Sequence, residues 1–224
     1  MNTGRPFISR FQLKVLACFC MFADHLCWGL FPYDRFASVI RDTIGRMAFP
    51  LFVFMLAEGF FHTRSRLRYC LNVLVTALIS EIPYDLTFHH KLFYFSDQNV
   101  MFTLFLALVM FSVLSRLKNN IILHAAAAVP FAAAAYFLNL NYGLWGIACC
   151  FIAYETFFMP HYISGAIITL PLMIKYYSFG SLLSAIPLYF YDNSRGKIPA
   201  AAKYCFYAFF PVHILIIMLL KQLI

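Results

Sequence analysis

"LKVLACFCMFADHLCWGLF" (Leu13 to Phe31) is a run of nineteen residues in which, cysteines aside, only Lys14, Asp24 and His25 are ionisable. A helix rising about 1.5 Å per residue over such a length matches the roughly 30 Å hydrocarbon core of a bilayer. The rest of the chain repeats the pattern. Of 224 residues, 63% are hydrophobic and 12% are charged, where soluble domains carry about 25% charged residues. The composition therefore predicts an all-α fold: a polytopic membrane helix bundle forming a single integral-membrane domain over residues 1–224. Little chain is left for a soluble domain, so the function belongs to the bilayer and its short loops.

Apolar runs between charge and turn clusters predict about nine transmembrane helices, with eight to ten possible, at 12–31, 43–62, 67–86, 98–117, 120–138, 142–158, 160–175, 178–191 and 201–221. The stretches 160–175 and 178–191 are short for a crossing and would also suit a re-entrant pair. The first run has no small-residue cleavage site after it and reads as a helix that stays. With the N-terminus inside, eleven of the 17 Lys and Arg fall on the cytoplasmic side: Arg5, Arg10 and Lys14; Arg64, Arg66 and Arg68; Arg116 and Lys118; Arg195, Lys197 and Lys203. The positive-inside rule then favours N-in and C-out, whereas an eight-span chain would end inside. The net charge of +8 is dispersed between apolar segments and reads as topology, not as a nucleic-acid surface. The seven cysteines form no CxxC pair and read as buried thiols.

An ionisable side chain within a span is costly and by default faces a cavity or a partner. Asp24 lies 12 residues into the first span, roughly 18 Å deep, and His25 follows it. "RDTIGRMAFPLFVFMLAEGFFH" (Arg41 to His62) sets Arg46 near one membrane boundary and Glu58 near the other. "SEIPYDLTF" (Ser80 to Phe88) carries Glu81 and Asp85 four apart, on one helix face, with Pro83 between them. "DQNVMFTLF" (Asp97 to Phe105) brings Gln98 and Asn99 to the outer level. "KYCFYAFFPVHILII" (Lys203 to Ile217) puts His213 at a depth near that of Asp24. These groups read together as the lining of one cavity open toward the outer side.

Other readings of the same residues stay open. His213 could be a hydrogen-bonded packing residue, and Arg46 could form a structural ion pair with Glu81 or Asp85. Glu58 and His62, four apart, resemble half a metal site, but no third ligand is apparent. Arg64, Arg66 and Arg68 suit a topology signal or a phosphate contact. Because helix neighbours point about 100° apart, Asp24 need not touch His25, and its partner could be Arg46 or His213. An acid and a base at this depth fit acyl transfer, in which a base takes the acceptor's proton and cationic or amide donors stabilise the oxyanion. Proton-coupled transport would use the same residue types. No nucleophile elbow, P-loop or dinucleotide fingerprint is present.

The Leu13–Phe31 run, "IGRMAFPLFVFMLAEGFFHTRSRLRY" (Ile44 to Tyr69), "LISEIPYDLTF" (Leu78 to Phe88), "QNVMFTLFLALV" (Gln98 to Val109) and "KYCFYAFFPVHILII" together resemble the TraX family, named for a conjugation-system protein implicated in N-terminal acetylation of pilin. Between about Arg116 and Lys203 only general hydrophobic character matches. The family is similar in turn to a wider group of membrane acyltransferases that pass an acetyl group from cytoplasmic acetyl-CoA to an acceptor across the membrane.

The resemblance implies a multi-pass protein of the bacterial cytoplasmic (inner) membrane, contacting lipid, acetyl-CoA and an acceptor that is a pilin-like peptide or a glycan. It implies His25 as base or acetyl relay, with Asp24 tuning it and Arg46 joining them in catalysis. Glu58, Glu81, Asp85, Gln98, Asn99 and His213 are expected to shape the substrate cavity. Arg64, Arg66 and Arg68 are expected to contact the phosphates of coenzyme A. A transporter, or a structural partner in a conjugation or secretion complex, is the alternative.

Overall fold

The computed structural model describes residues 8–192, the backbone of 200–203, and residues 204–223. Arg5, Arg195 and Lys197 lie outside the described residues, as does the Lys203 side chain. Helix α1 (Arg10–Leu30) starts from a capping box. Ser9 Oγ accepts from the Gln12 amide while Gln12 Oε1 accepts from the Ser9 amide at 2.9 Å, which satisfies two otherwise orphaned donors. Asp34 caps α2 (Arg35–Ile40), its carboxylate accepting from the Ala37 amide at 2.7 Å. The chain then passes through a π-helical turn (Arg41–Gly45) into α3 (Arg46–His62). The second helix therefore begins at Arg35 and not near 43. Phe36 and Val39 on its first turns are exposed.

Helix α3 is the hub. Eleven of its residues, from Ala48 to Phe60, are buried, as expected of a helix apolar on every side. Against it pack α1, α5 (Val100–Leu114), α7 (Gly143–Glu155) and the short helices that follow; α6 (Ile121–Phe137) lies on α5 and α7, and α4 (Arg66–Phe88) and α11 (Ala200–Leu223) pair with each other, α4 beside α5 and α11 beside α1. Among the described residues four helices are long and apolar enough to cross a membrane: Arg10–Leu30, Arg35–His62, Arg66–Phe88 and Tyr204–Leu223. The segments between them are shorter apolar helices. The run expected at 160–175 is split into α8 (His161–Ile168) and α9 (Leu170–Tyr176), and that at 178–191 into a 3-10 turn (Gly180–Ser184) and α10 (Ala185–Tyr189). Their length suits a folded-back layer against α3 better than independent crossings. Among the described residues the extended pairings are two isolated bridges, Ile8 with Tyr191 and Gln98 with Leu140.

Three contacts show that α11 runs parallel to α1: Phe11 meets Phe206, His25 meets His213, and Gly29 lies against Ile217. The helix ends accordingly sort into a near end, holding the start of α1, and a far end holding its finish. Arg10, Lys14, Arg64, Arg66, Arg68, Arg116 and Lys118 sit at or beside near-end helix termini. The loops 89–99 and 138–142 belong to the far end, where Lys221 Nζ donates to the Thr87 carbonyl at 3.1 Å. All seven cysteines are free; five are buried as expected, whereas Cys70 is half-buried and Cys205 exposed.

Candidate functional site

A cavity of about 500 Å³ runs beside α3, walled by α1, α4, α5 and α11. Arg10, Lys14, Glu58 and Thr63 line it at the near end. Asp24, Arg41, Gly45, Arg46, Asp97, Asn141, Tyr142 and Tyr176 line it at the far end. The span from Glu58 to Arg46 along α3 is 12 residues, roughly 18 Å. Phe49, Phe52, Met55 and Leu56 supply an apolar middle. Two polar poles are thus joined through the thickness of the bundle.

His25 lines this cavity and hydrogen-bonds through Nδ1 to Nε2 of His213 at 2.7 Å, the two rings nearly parallel. His213 Nδ1 lies 2.8 Å from the Phe209 carbonyl. A carbonyl only accepts, so His213 carries its proton on Nδ1, and in the neutral pair its Nε2 is the acceptor. His25 must then donate from Nδ1, which leaves Nε2 of His25 as the unprotonated, basic nitrogen. His213, only 1% exposed, fixes that tautomer from behind the cavity wall.

Asp24 points away from His25, as the 100° offset of helix neighbours requires. Its carboxylate lies against Gly45 in the π turn and in the field of Arg46 and Arg41, while Oδ1 is buried without a hydrogen-bond partner. Pro50 has no N–H to give the Arg46 carbonyl and crowds it, and the π turn lies directly upstream. Single π turns inside helices recur at functional sites. Here the turn delivers Arg41, Gly45 and Arg46 to one cavity wall. Arg46 stacks its guanidinium 3.7 Å from the centre of the Tyr176 ring and has Asp42 Oδ1 3.7 Å from Nε. It pairs with Asp42 and not with Glu81 or Asp85.

Glu58 occupies the near pole. Its Oε1 accepts from Arg10 Nη2 at 2.6 Å and from the Tyr191 hydroxyl at 2.5 Å. His62 donates from Nδ1 to the Glu58 carbonyl at 2.8 Å, a turn-to-turn bond within α3. Arg66 donates to Ser115 Oγ at 2.9 Å and lies over the Phe60 ring. Arg64, Arg66 and Arg68 are exposed and stand outside the cavity, just beyond its Thr63 rim.

Glu81, Asp85, Gln98 and Asn99 gather at the far end but do not line the cavity. Glu81 Oε2 accepts from both the amide and the side-chain nitrogen of Asn99. Asn99 Oδ1 caps α5 through the Met101 amide at 2.9 Å, and its Nδ2 also donates to the Ala77 carbonyl. Asp85 accepts from the Tyr94 amide at 2.7 Å. The Gln98 backbone pairs with Asn139 and Asn141. These four residues tie the 89–99 loop to its helices.

Sequence reading missed a far-end network. The Tyr84 hydroxyl donates to Asp97 Oδ2 at 3.0 Å, and Asn141 Nδ2 donates to Asp97 Oδ1 at 3.2 Å. Tyr142 stacks on Phe49 with ring centres 4.0 Å apart. Asp97 adjoins the Gln98–Asn99 pair and was within reach of the depth argument. The tyrosines were not, being ordinary members of a chain that is 19% aromatic.

The chain is 29% identical over 233 residues to a protein of Dichelobacter nodosus named probable fimbrial assembly protein FimC, serogroup H1, with 92% of this chain and 93% of that protein covered. No solved structure matches. The family model described as TraX protein matches residues 9–221, so both poles of the cavity, the His25–His213 pair and the far-end network all fall within the matched region, and the chain belongs to the TraX family.

Proposed function

We propose that the protein is a membrane-bound, acetyl-CoA-dependent acyltransferase, with His25 as its general base. The observation that carries this reading is the His213-fixed tautomer, which leaves a basic Nε2 on the wall of a cavity reaching both ends of the bundle. The near end faces the cytoplasm of a bacterial inner membrane, in keeping with its basic residues.

The cavity has the scale of a drug-sized ligand site and accommodates a thin acyl-bearing arm, leaving a charged nucleotide at the near mouth. Arg64, Arg66 and Arg68 meet its phosphates there, while Arg10 and Lys14 line the way in. His25 Nε2 takes the proton from an acceptor amine or hydroxyl as that group attacks the thioester carbon. The carbon–sulfur bond breaks, and the proton returns from His25 to the leaving thiolate. Arg46 stabilises the negative charge that develops on the carbonyl oxygen, and Asp24 holds the positive field of Arg46 and Arg41 in balance. The name of the Dichelobacter nodosus relative supports a fimbrial or pilin-like subunit as the acceptor.

The test is calorimetric titration of the purified protein with acetyl-CoA, followed by mass spectrometry of candidate acceptors after incubation with wild type and His25→Ala. Saturable binding with transfer lost in His25→Ala is the expected result. Absence of binding in folded protein, or full transfer by the variant, overturns the reading.

A further inference from the structure

A second cavity, of about 350 Å³, lies at the far end between the 89–99 and 138–143 loops. Four residues line both this cavity and the main one: Asp97, Asn141, Tyr142 and Tyr176. They form a partition between a vestibule and the chamber that holds His25. Ser96, Asn139 and Lys175 add polar groups on the vestibule side. We propose that this vestibule is the entrance for a polar acceptor arriving from water, with Tyr142 and Tyr176 as the gate into the chamber.

The partition differs from the rest of the bundle in what holds it. Tyr142 is kept in place by ring stacking on Phe49, Tyr176 by the Arg46 guanidinium on its face, and both by the Lys175 ammonium over their rings, contacts between side chains and not an interlocked aliphatic wall. Asp97 and Asn141 are held by a few side-chain hydrogen bonds. The backbone here is strained as well. Asn139, Tyr142 and Tyr177 adopt positive φ of 52°, 65° and 51°, a conformation uncommon outside glycine and concentrated at clamps and switches. A small change in loop backbone relieves that strain and swings a tyrosine, whereas opening a wall of interlocked aliphatic side chains would not be so local.

The lining also sets the class of molecule admitted. A lipid-linked acceptor would enter sideways between apolar helix faces. The vestibule opens instead at loop tips, with Ser96 exposed. It presents both an ammonium, Lys175, and a carboxylate, Asp97, whose charges interact. With Leu140, Leu144 and Trp145 forming its apolar side, it therefore suits a hydrogen-bonding solute of little net charge that also carries an apolar face. The inference holds whatever group is transferred, so it stands apart from acetyl-CoA chemistry.

The test uses the full chain in lipid nanodiscs, with Met101→Cys as a reporter inside the main chamber. Cationic trimethylammonium-ethyl and anionic sulfonatoethyl methanethiosulfonates are the probes, and peptide mass mapping reads residue 101 separately from the native cysteines. Ser96→Trp narrows the vestibule and Thr63→Trp narrows the near mouth. The expected result is that Ser96→Trp slows modification about tenfold or more while Thr63→Trp changes it less than about twofold. Lys175→Glu, compared with Lys175→Gln, which loses the same contacts to the Tyr142 and Tyr176 rings without reversing the charge, raises the cationic-to-anionic rate ratio at least about fivefold. Slowing by Thr63→Trp alone, an unchanged ratio in Lys175→Glu, or no modification of residue 101 in folded protein would each overturn the proposal. None of these readings involves acetyl-CoA, so they fail or succeed separately from acyl transfer.

Discussion

Gly45 and the Asp24 carboxylate are in contact so close that a methyl group on Gly45 would fall 2.5 Å from Asp24 Oδ1. The π turn therefore fixes where this carboxylate stands, and glycine is required by the space it leaves. Gly45→Ala is expected to displace Asp24 and lower acyl transfer by about tenfold or more, the scale on which misplaced catalytic geometry is felt. Transfer assays beside thermal unfolding check this. Unchanged transfer in a folded variant would mean that the position of Asp24 is unimportant.

His213 does not line the cavity, yet the tautomer of His25 depends on it. His213→Phe retains an aromatic ring but removes the acceptor for His25 Nδ1, freeing the base to adopt either tautomer. Transfer is expected to fall about 10²-fold, within the range of general-base contributions, with acetyl-CoA affinity little changed. The split between turnover and affinity is the readout. Equal losses in both would assign His213 to substrate binding instead.

Asn99 separates a scaffold role from a substrate role. Asn99→Ala removes the α5 cap and strips Glu81 of its side-chain partner. The cap alone is worth about 1 kcal/mol, and a carboxylate left short of partners adds about 1–3 kcal/mol. Unfolding in denaturant is expected to shift accordingly while acetyl-CoA affinity holds. A large affinity loss without destabilisation would return Asn99 and Glu81 to the substrate site.

The near pole is an ion pair between a buried Glu58 and a partly exposed Arg10, with a tyrosine on the same oxygen. Glu58→Gln leaves the Arg10 charge without its counterpart and is expected to cost about 1–2 kcal/mol, below the penalty for a fully buried pair because Arg10 is only partly buried and reaches water. Tyr191→Phe removes one bond to a charged group, about 2 kcal/mol. Arg10→Met combined with Glu58→Met is expected to recover most of the Glu58→Gln loss. Thermal unfolding of the four proteins tests the set.

At Gly180 the requirement is backbone against backbone. A Cβ there would overlap the Asp42 carbonyl oxygen, and Ser178 Oγ donates to that same oxygen at 3.4 Å. The 3-10 turn is thus seated on the π turn that carries Arg41 and Arg46. Gly180→Ala is expected to lower the melting temperature by several degrees, in line with a cost of about 1–3 kcal/mol for overpacking. A variant as stable as wild type would show that the two turns part easily.

Much of this architecture can be read from residue order because a bilayer imposes a length. The runs at Leu13–Phe31 and Lys203–Ile217 announce helices, and counting depth from their ends brings His25 and His213 to one level. Their spacing along helices cannot say which neighbour each face will meet. Glu81 and Asp85 look in sequence like cavity carboxylates equal to Asp24, yet their face of α4 meets the 89–99 loop. The segment from 160 to 191 is apolar enough to suggest crossings, but breaks at Thr169 and Tyr177 make it a layer of short helices. Positive φ at Tyr142 carries no sequence signal, since the residue that favours it, glycine, stands one position later. The far partition was hidden for that reason.

The parallel placement of α1 and α11 bears on how the protein is made. His213 leaves the ribosome 188 residues after His25, when every helix from α2 to α10 has already been synthesised. Until α11 inserts and slides alongside α1, His213 is not in place to accept the proton on His25 Nδ1, and the His25 tautomer is not set by this pair. A nascent chain paused anywhere before that point is a bundle in the membrane without its histidine pair, so on the proposed general-base role of His25 assembly itself withholds reactivity until the fold can enclose it.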